Sequence, residues 1–177
     1  MSSAGQSQGK GIFSVDKLIS EARHLAAEYR RTTGQPLGIS GEIAQHDACQ
    51  LLDLEAVKDA NSSFDALGRG PRQGQRIQIK GRVIFDEAKK NQRIGQLKIE
   101  QEWDSVMLVL MDENYETDCI YAADRQAILD ALSEQADSKR SKRGAMSVAK
   151  FKNVAHLVWT RQQGAVEDEV WDNRSGA

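Results

Sequence analysis

The chain lacks the features that would tie it to an oxidising compartment or to a membrane. Its 177 residues include two cysteines, Cys49 and Cys119, in unrelated contexts. That excludes a disulfide framework and offers no set of zinc ligands. The expected surroundings are a reducing cytoplasm. No apolar run approaches the roughly 20 residues of a membrane span. Residues 1–12 are polar and rich in Ser, Gly and Gln. They lack the apolar centre of a signal peptide and read as a disordered tail. No internal repeat is present. The glycines at 68–74 are not followed by Gly-Lys-Ser/Thr, so they form no P-loop. The net charge is only −2, which by itself argues for no polyanionic partner.

What the chain does have is an ordinary globular composition, 40% hydrophobic and 28% charged, with length enough for one real core. Its charge is segregated along the sequence. Nine Lys/Arg fall between 69 and 98 against Asp86 and Glu87, and seven fall between 138 and 161 with no acid. Between these stretches, 112–137 carries eight acids and only Arg125. Such segregation can give a neutral protein a basic face.

Ser14 is a good N-cap for a first helix with Asp16 in its first turn, and Gly34 and Pro36 end it. Val15, Leu18, Ile19, Ala22, Leu25, Ala26 and Tyr29 keep helical spacing and predict one buried stripe. Ser40 is expected to cap a second helix to about residue 52, with Glu42, His46 and Cys49 away from its apolar side. Short strands are expected at 54–57, 63–67 and 75–84, with an edge segment at 94–99. The run 103–111 is nearly all apolar and suits a strand buried on both faces. A further strand at 117–123 leads into a helix capped by Asp124. Residues 138–144 read as a basic linker. Ser147 caps a last helix to about Trp159, with Val148, Phe151, Ala155, Val158 and Trp159 as its stripe. Residues 164–177 read as a loose acidic tail. The order predicts an α/β protein with a mixed sheet covered by helices. Its core spans 13–137, and 138–163 adds the linker and a helix packed on that core.

The chemistry concentrates in 64–80, a hairpin around the Gly/Arg/Pro turn. Strand side chains alternate between faces. If Ile77 and Ile79 point inward, Gln78 and Lys80 share the other face, with Asp65 at the end of the partner strand. An acid, an amide and an ammonium then meet in one place, which suits a divalent cation beside a phosphate. His46 is expected to be structural, Cys49 a small buried side chain, and Asp104 and Asp112 turn residues; Lys98 and Gln96, in a basic segment, are expected to be solvated surface, with a phosphate contact as the alternative.

Glu42 on a helix, Asp65 at a strand end and then Gln78-Ile79-Lys80 resemble the signature of the PD-(D/E)xK nuclease superfamily, in its Mrr-like Gln-x-Lys form. The resemblance extends over about 38–132 in motif and element order. It implies the restriction-endonuclease-like fold and Mg²⁺-dependent hydrolysis of DNA, with Mn²⁺ as an alternative ion. By the match, Asp65 would be the main metal ligand, Gln78 and Glu42 further ligands, and Lys80 the catalytic lysine. DNA would be held by Arg69, Arg72, Lys139, Arg140, Lys142, Arg143 and Lys150. Restriction or phage defence is the implied setting, and cutting both strands would favour a homodimer. Two departures stand out. Phe64 replaces the usual proline before the acid, and Gln78 replaces an acid, which removes one negative charge from the metal site. Two other readings stay open: a nuclease-like module that only binds DNA or protein, and a fold in which Asp65 and Lys80 form a plain cross-strand ion pair.

Overall fold

The computed structural model describes residues 14–85, 92–134 and 144–166. Helix α1 (Val15–Thr33) starts where expected, with Ser14 Oγ accepting from the Lys17 amide and Gly34 left-handed at its end. Helix α2 (Ser40–Leu51) follows, then β1 (Glu55–Ala56), β2 (Ala66–Leu67), a 3₁₀ turn at Gly70–Arg72 and β3 (Arg76–Val83). Next come β4 (Arg93–Gln96), β5 (Ser105–Met111), β6 (Thr117–Asp124), α3 (Arg125–Ser133), β7 (Ala145–Ser147), α4 (Val148–Val154), β8 (His156–Thr160) and β9 (Gly164–Ala165).

Seven strands make one mixed sheet in the order β1-β2-β3-β5-β6-β8-β9, and β4 and β7 form a separate antiparallel pair. Within the large sheet β3 and β5 are parallel, and every other neighbouring pair is antiparallel. All seven residues of β5 are buried, as its unbroken apolar run predicts for a central strand. Met107, Val109 and Met111 enter one core with α1 and α2, while Val106, Leu108 and Leu110 enter a second core with α3, α4 and the β4–β7 pair. An α/β protein with a mixed sheet between layers is therefore what the chain forms. Among the described residues no helix is long and apolar enough to cross a membrane.

Four local expectations are corrected. Ile39 rather than Ser40 is the N-cap of α2, and no side chain caps it. The last helix stops at Val154, and His156–Thr160 is strand β8. The open edge of β6 takes this Leu-Val-Trp-Thr segment in antiparallel register, Ile120 opposite Trp159, and a fully bonded strand outweighs a helical spacing of apolar residues. Gly164–Ala165 then pairs with β8 instead of starting a loose tail. In α1 only Ala26 of the expected stripe is fully buried, joined by Ala27 outside it, while Val15, Leu18, Leu25 and Tyr29 are exposed. The inward arc is set by Arg23, which reaches Asp47 on α2.

Helix α2 lies directly on β3, and Gly81 permits it. A Cβ at Gly81 would sit 2.4 Å from Ala44 Cβ and 2.7 Å from the carbonyl oxygen of Ser40. Neither neighbour can rotate away, so Gly81→Ala must push the helix off the strand. The expected cost is about 1–3 kcal/mol, read as a lower urea midpoint at unchanged slope.

Candidate functional site

Asp65 is fixed at every backbone position. Its amide donates to the Ile77 carbonyl at 2.8 Å, and its carbonyl accepts from the Val57 amide at 2.9 Å. The same carbonyl accepts from Gln45 Nε2 on α2 at 2.9 Å. Its carboxylate Oδ2 accepts from the Ile79 amide at 2.7 Å, a side chain bonding where the ladder would otherwise continue. Asp65 also lines an open cavity of about 410 Å³, with Gln45, Lys58, Asp59, Ser62 and Lys98 among others.

Strand β3 alternates as expected. Ile77, Ile79 and Val83 enter the first core, so Gln78, Lys80 and Arg82 take the opposite face. Lys80 is half-buried. Burial pushes its pKa below the usual lysine value; Asp65 pulls it up, and the charges of Lys98 and Arg82 push it further down. Lys80 has no ion-pair partner within bonding distance among the described residues. Its ammonium thus stands half out of water, in the field of one carboxylate and two cations.

Holding that charge costs stability, and the sign of the pH dependence follows. The unfolded lysine binds its proton up to a higher pH than the folded one. The cost is therefore fully present below the folded pKa and fades as pH rises through it towards 10.5, the ordinary value. A Lys80→Met variant is expected to gain about 0.5–2 kcal/mol at neutral pH. In paired urea titrations that gain should shrink in the alkaline range.

Gln78 is 1% exposed. Its Oε1 accepts a long bond, 3.5 Å, from the Lys98 amide, while its buried Nε2 has no partner. Buried polar groups left unsatisfied are destabilising and uncommon.

The other predicted residues are distributed differently. Glu42 is exposed in the first turn of α2, and Gln45, one turn on, is the α2 side chain that bonds to Asp65. Arg69 is held by Asp53 and Glu55 at 3.6 and 3.4 Å. Arg72 is half-buried in the turn, where burial lowers its pKa. Lys150 on α4 lies 4.0 Å from Glu134. Lys139, Arg140, Lys142 and Arg143 lie outside the described residues. His46 is structural, its Nε2 3.0 Å from Asp16. Cys49 packs against the first core, and burial, then the charge of Asp65, pushes its thiol up to about 11.

The hairpin spacing brought Asp65, Gln78 and Lys80 to the middle of β3, and nothing in it pointed to Gln45 or Lys98. Gln45 could have been found as the residue one helical turn after Glu42 on the same arc. Lys98 had only its basic segment as a signal; the residue is exposed, and its place at the cavity depends on how β4 and its following loop are held. Among the described residues no group of three or more His, Cys, Asp or Glu could hold a metal ion. No family model matches the chain, and no curated protein matches it significantly.

Proposed function

We propose that the protein is a metal-dependent DNA endonuclease of restriction-endonuclease-like fold, acting at Asp65 and Lys80. One observation carries the reading. A carboxylate that lines a cavity and a half-buried lysine with no ion-pair partner among the described residues sit in each other's field beside the middle of β3. A structural ion pair would bring the two groups into contact, and no such contact is present.

The residues suit a hard cation that shares its shell with substrate. Mg²⁺ takes oxygen ligands, often only one or two protein carboxylates, with waters and phosphate oxygens completing the set. Asp65 would hold the ion; the Gln78 amide oxygen, buried and bonded to the Lys98 amide, is turned away from that task. When bound, the ion supplies charge stabilisation at the phosphate and a more acidic water. Lys80 places a poorly solvated positive charge where negative charge develops on the phosphate. The Ile79 amide keeps the Asp65 carboxylate from rotating, and Gln45 ties the loop bearing it to α2.

The exposure of Glu42 and the burial of Gln78 leave one carboxylate where the motif has three candidate ligands. That favours the second reading, a nuclease-like module that binds DNA or protein without cutting.

Two experiments separate the readings. Supercoiled plasmid incubated with the full chain in Mg²⁺ or Mn²⁺ should be nicked or linearised, and EDTA should stop it. Calorimetric titration with either ion should show binding in wild type that is lost in Asp65→Ala. An absence of both cleavage and metal binding, with and without a short duplex, sinks the nuclease reading.

A further inference from the structure

Lys98 stands out among the cations that the proposed function does not use. It follows β4 and lines the Asp65 cavity together with Gln45 of α2. Its backbone is held on both sides: the amide donates to Gln78 Oε1, and the carbonyl accepts from Trp103 Nε1 at 2.8 Å. Trp103 is itself among the largest fully buried side chains, so the loop carrying Lys98 is anchored in the second core. The ammonium donates to the Ser62 carbonyl at 2.8 Å. An ammonium has three donors, so two remain. No carboxylate lies within ion-pair distance of it among the described residues.

Gln78 acquires a role here that its place in the motif does not suggest. Its side chain reaches across to the Lys98 backbone, so the residue between Ile77 and Ile79 seats the loop that brings the second lysine. Arg82 does the same further along β3. Its guanidinium donates to the Arg93 carbonyl on β4 and lies where a side chain at Gly95 would be, 2.9 Å from an added Cβ. Two residues of one strand face thus fasten β4 and its following loop over the sheet.

We propose that Lys98 is a phosphate-holding residue, carried to the Asp65 cavity by the β4 loop, where its ammonium binds a backbone phosphate of a nucleic-acid strand. This rests on the reading of the cavity as a nucleic-acid site, but it does not require cleavage. The anchored backbone, the two unused donors and the cavity wall shared with Asp65 place one cation at a fixed distance from the site. That is what setting the register of a strand requires, since phosphate contacts position the substrate without reading its sequence.

The test is a fluorescence-anisotropy titration of a short labelled DNA duplex, and of its single strand, in EDTA over a series of salt concentrations. The full chain is compared with Lys98→Ala, Lys98→Arg and, as a control for lost charge, Lys17→Ala on exposed α1. Lys98→Ala is expected to weaken binding about tenfold. It should also reduce the slope of log K against log salt by about 0.9 on the duplex. Lys98→Arg should restore both. Binding and slope equal to wild type, or a loss no greater than that of Lys17→Ala, overturns the assignment. If wild type binds neither strand, this assignment and the nucleic-acid reading fall together. If Lys98→Ala loses binding while wild type never cleaves, Lys98 stands and only the nuclease reading fails.

Discussion

Asp65→Asn is expected to lose about 10²–10³-fold in cleavage rate while unfolding at nearly the wild-type urea concentration. Asp65→Ala should lose the same activity and, in addition, about 1–3 kcal/mol of stability. The difference comes from the two oxygens of one carboxylate. Oδ2 accepts the Ile79 amide at 2.7 Å, a bond that a neutral asparagine can keep through its own oxygen. Alanine cannot, and leaves a backbone donor of β3 without an acceptor. The charge at the cavity is lost in both. If Asp65 were purely structural, the two variants would separate in stability and neither would change turnover. If both kept wild-type cleavage, the catalytic assignment would be wrong however stable they were.

The largest loss of stability is expected outside the cavity, at a buried ion pair between α1 and α2. Asp47→Ala should cost about 3–5 kcal/mol, enough to unfold many domains of this size at moderate temperature. Asp47 is 8% exposed. It takes Arg23 Nη2 on Oδ1 at 2.8 Å and Nη1 on Oδ2 at 3.1 Å. It also takes the Thr117 hydroxyl at 2.6 Å. Arg23 in turn donates to the Tyr115 carbonyl, so one carboxylate ties α1, α2, the β5–β6 turn and the start of β6. Burial lowers the pKa of Arg23, but the hydrogen bond and charge of Asp47, with Glu116 and Asp112, more than reverse this and raise it. Without Asp47 the buried guanidinium keeps only one ion-pair partner among the described residues, Glu116, a half-exposed carboxylate 3.6 Å from its Nε. A combined Arg23→Met, Asp47→Leu variant should recover much of the loss, because two apolar side chains leave no uncompensated charge. The urea midpoints of the three proteins decide it. A single variant within about 1 kcal/mol of wild type would mean that water replaces the carboxylate.

This network also explains why parts of the fold were legible in the sequence and others were not. The hairpin could be read because Ile77 and Ile79 alternate with Gln78 and Lys80, and because glycines mark its turn. Strand β5 could be read because seven consecutive buried residues leave a strand little other place than the centre of a sheet. In α1 the spacing gave the apolar residues, but the inward arc depended on a carboxylate 24 residues away. Residues 148–159 satisfy a helical spacing and, in their second half, a strand pattern equally well. The choice was made by the free edge of β6, which no local reading can see. At the site, Glu42 follows from the resemblance, as the acid on the helix before the hairpin. The structure instead places Gln45 against Asp65, where a donor to a carbonyl was needed. The basic segment marked Lys98 as a candidate phosphate contact, but its place at the Asp65 cavity was out of reach, since β4 pairs with a strand that begins at Ala145.

The parallel pairing of β3 with β5 has a consequence for how the protein comes into being. Along the chain, Leu67 meets Arg76 across a short turn, and Met111 meets Thr117 across another. Ile77 must wait for Ser105, the most distant partner within this part of the sheet. Local hairpins close early and distant pairings late. During synthesis, β3 therefore emerges paired on one side only, so the hairpin that carries Asp65 and Lys80 has no second neighbour across β3. The wall of the cavity that holds Lys98 is made later still, once β7 has been translated and β4 can pair with it. A ribosome-bound fragment ending before residue 105 would have the motif without the site, so the proposed cutting activity would begin only once the chain was nearly complete.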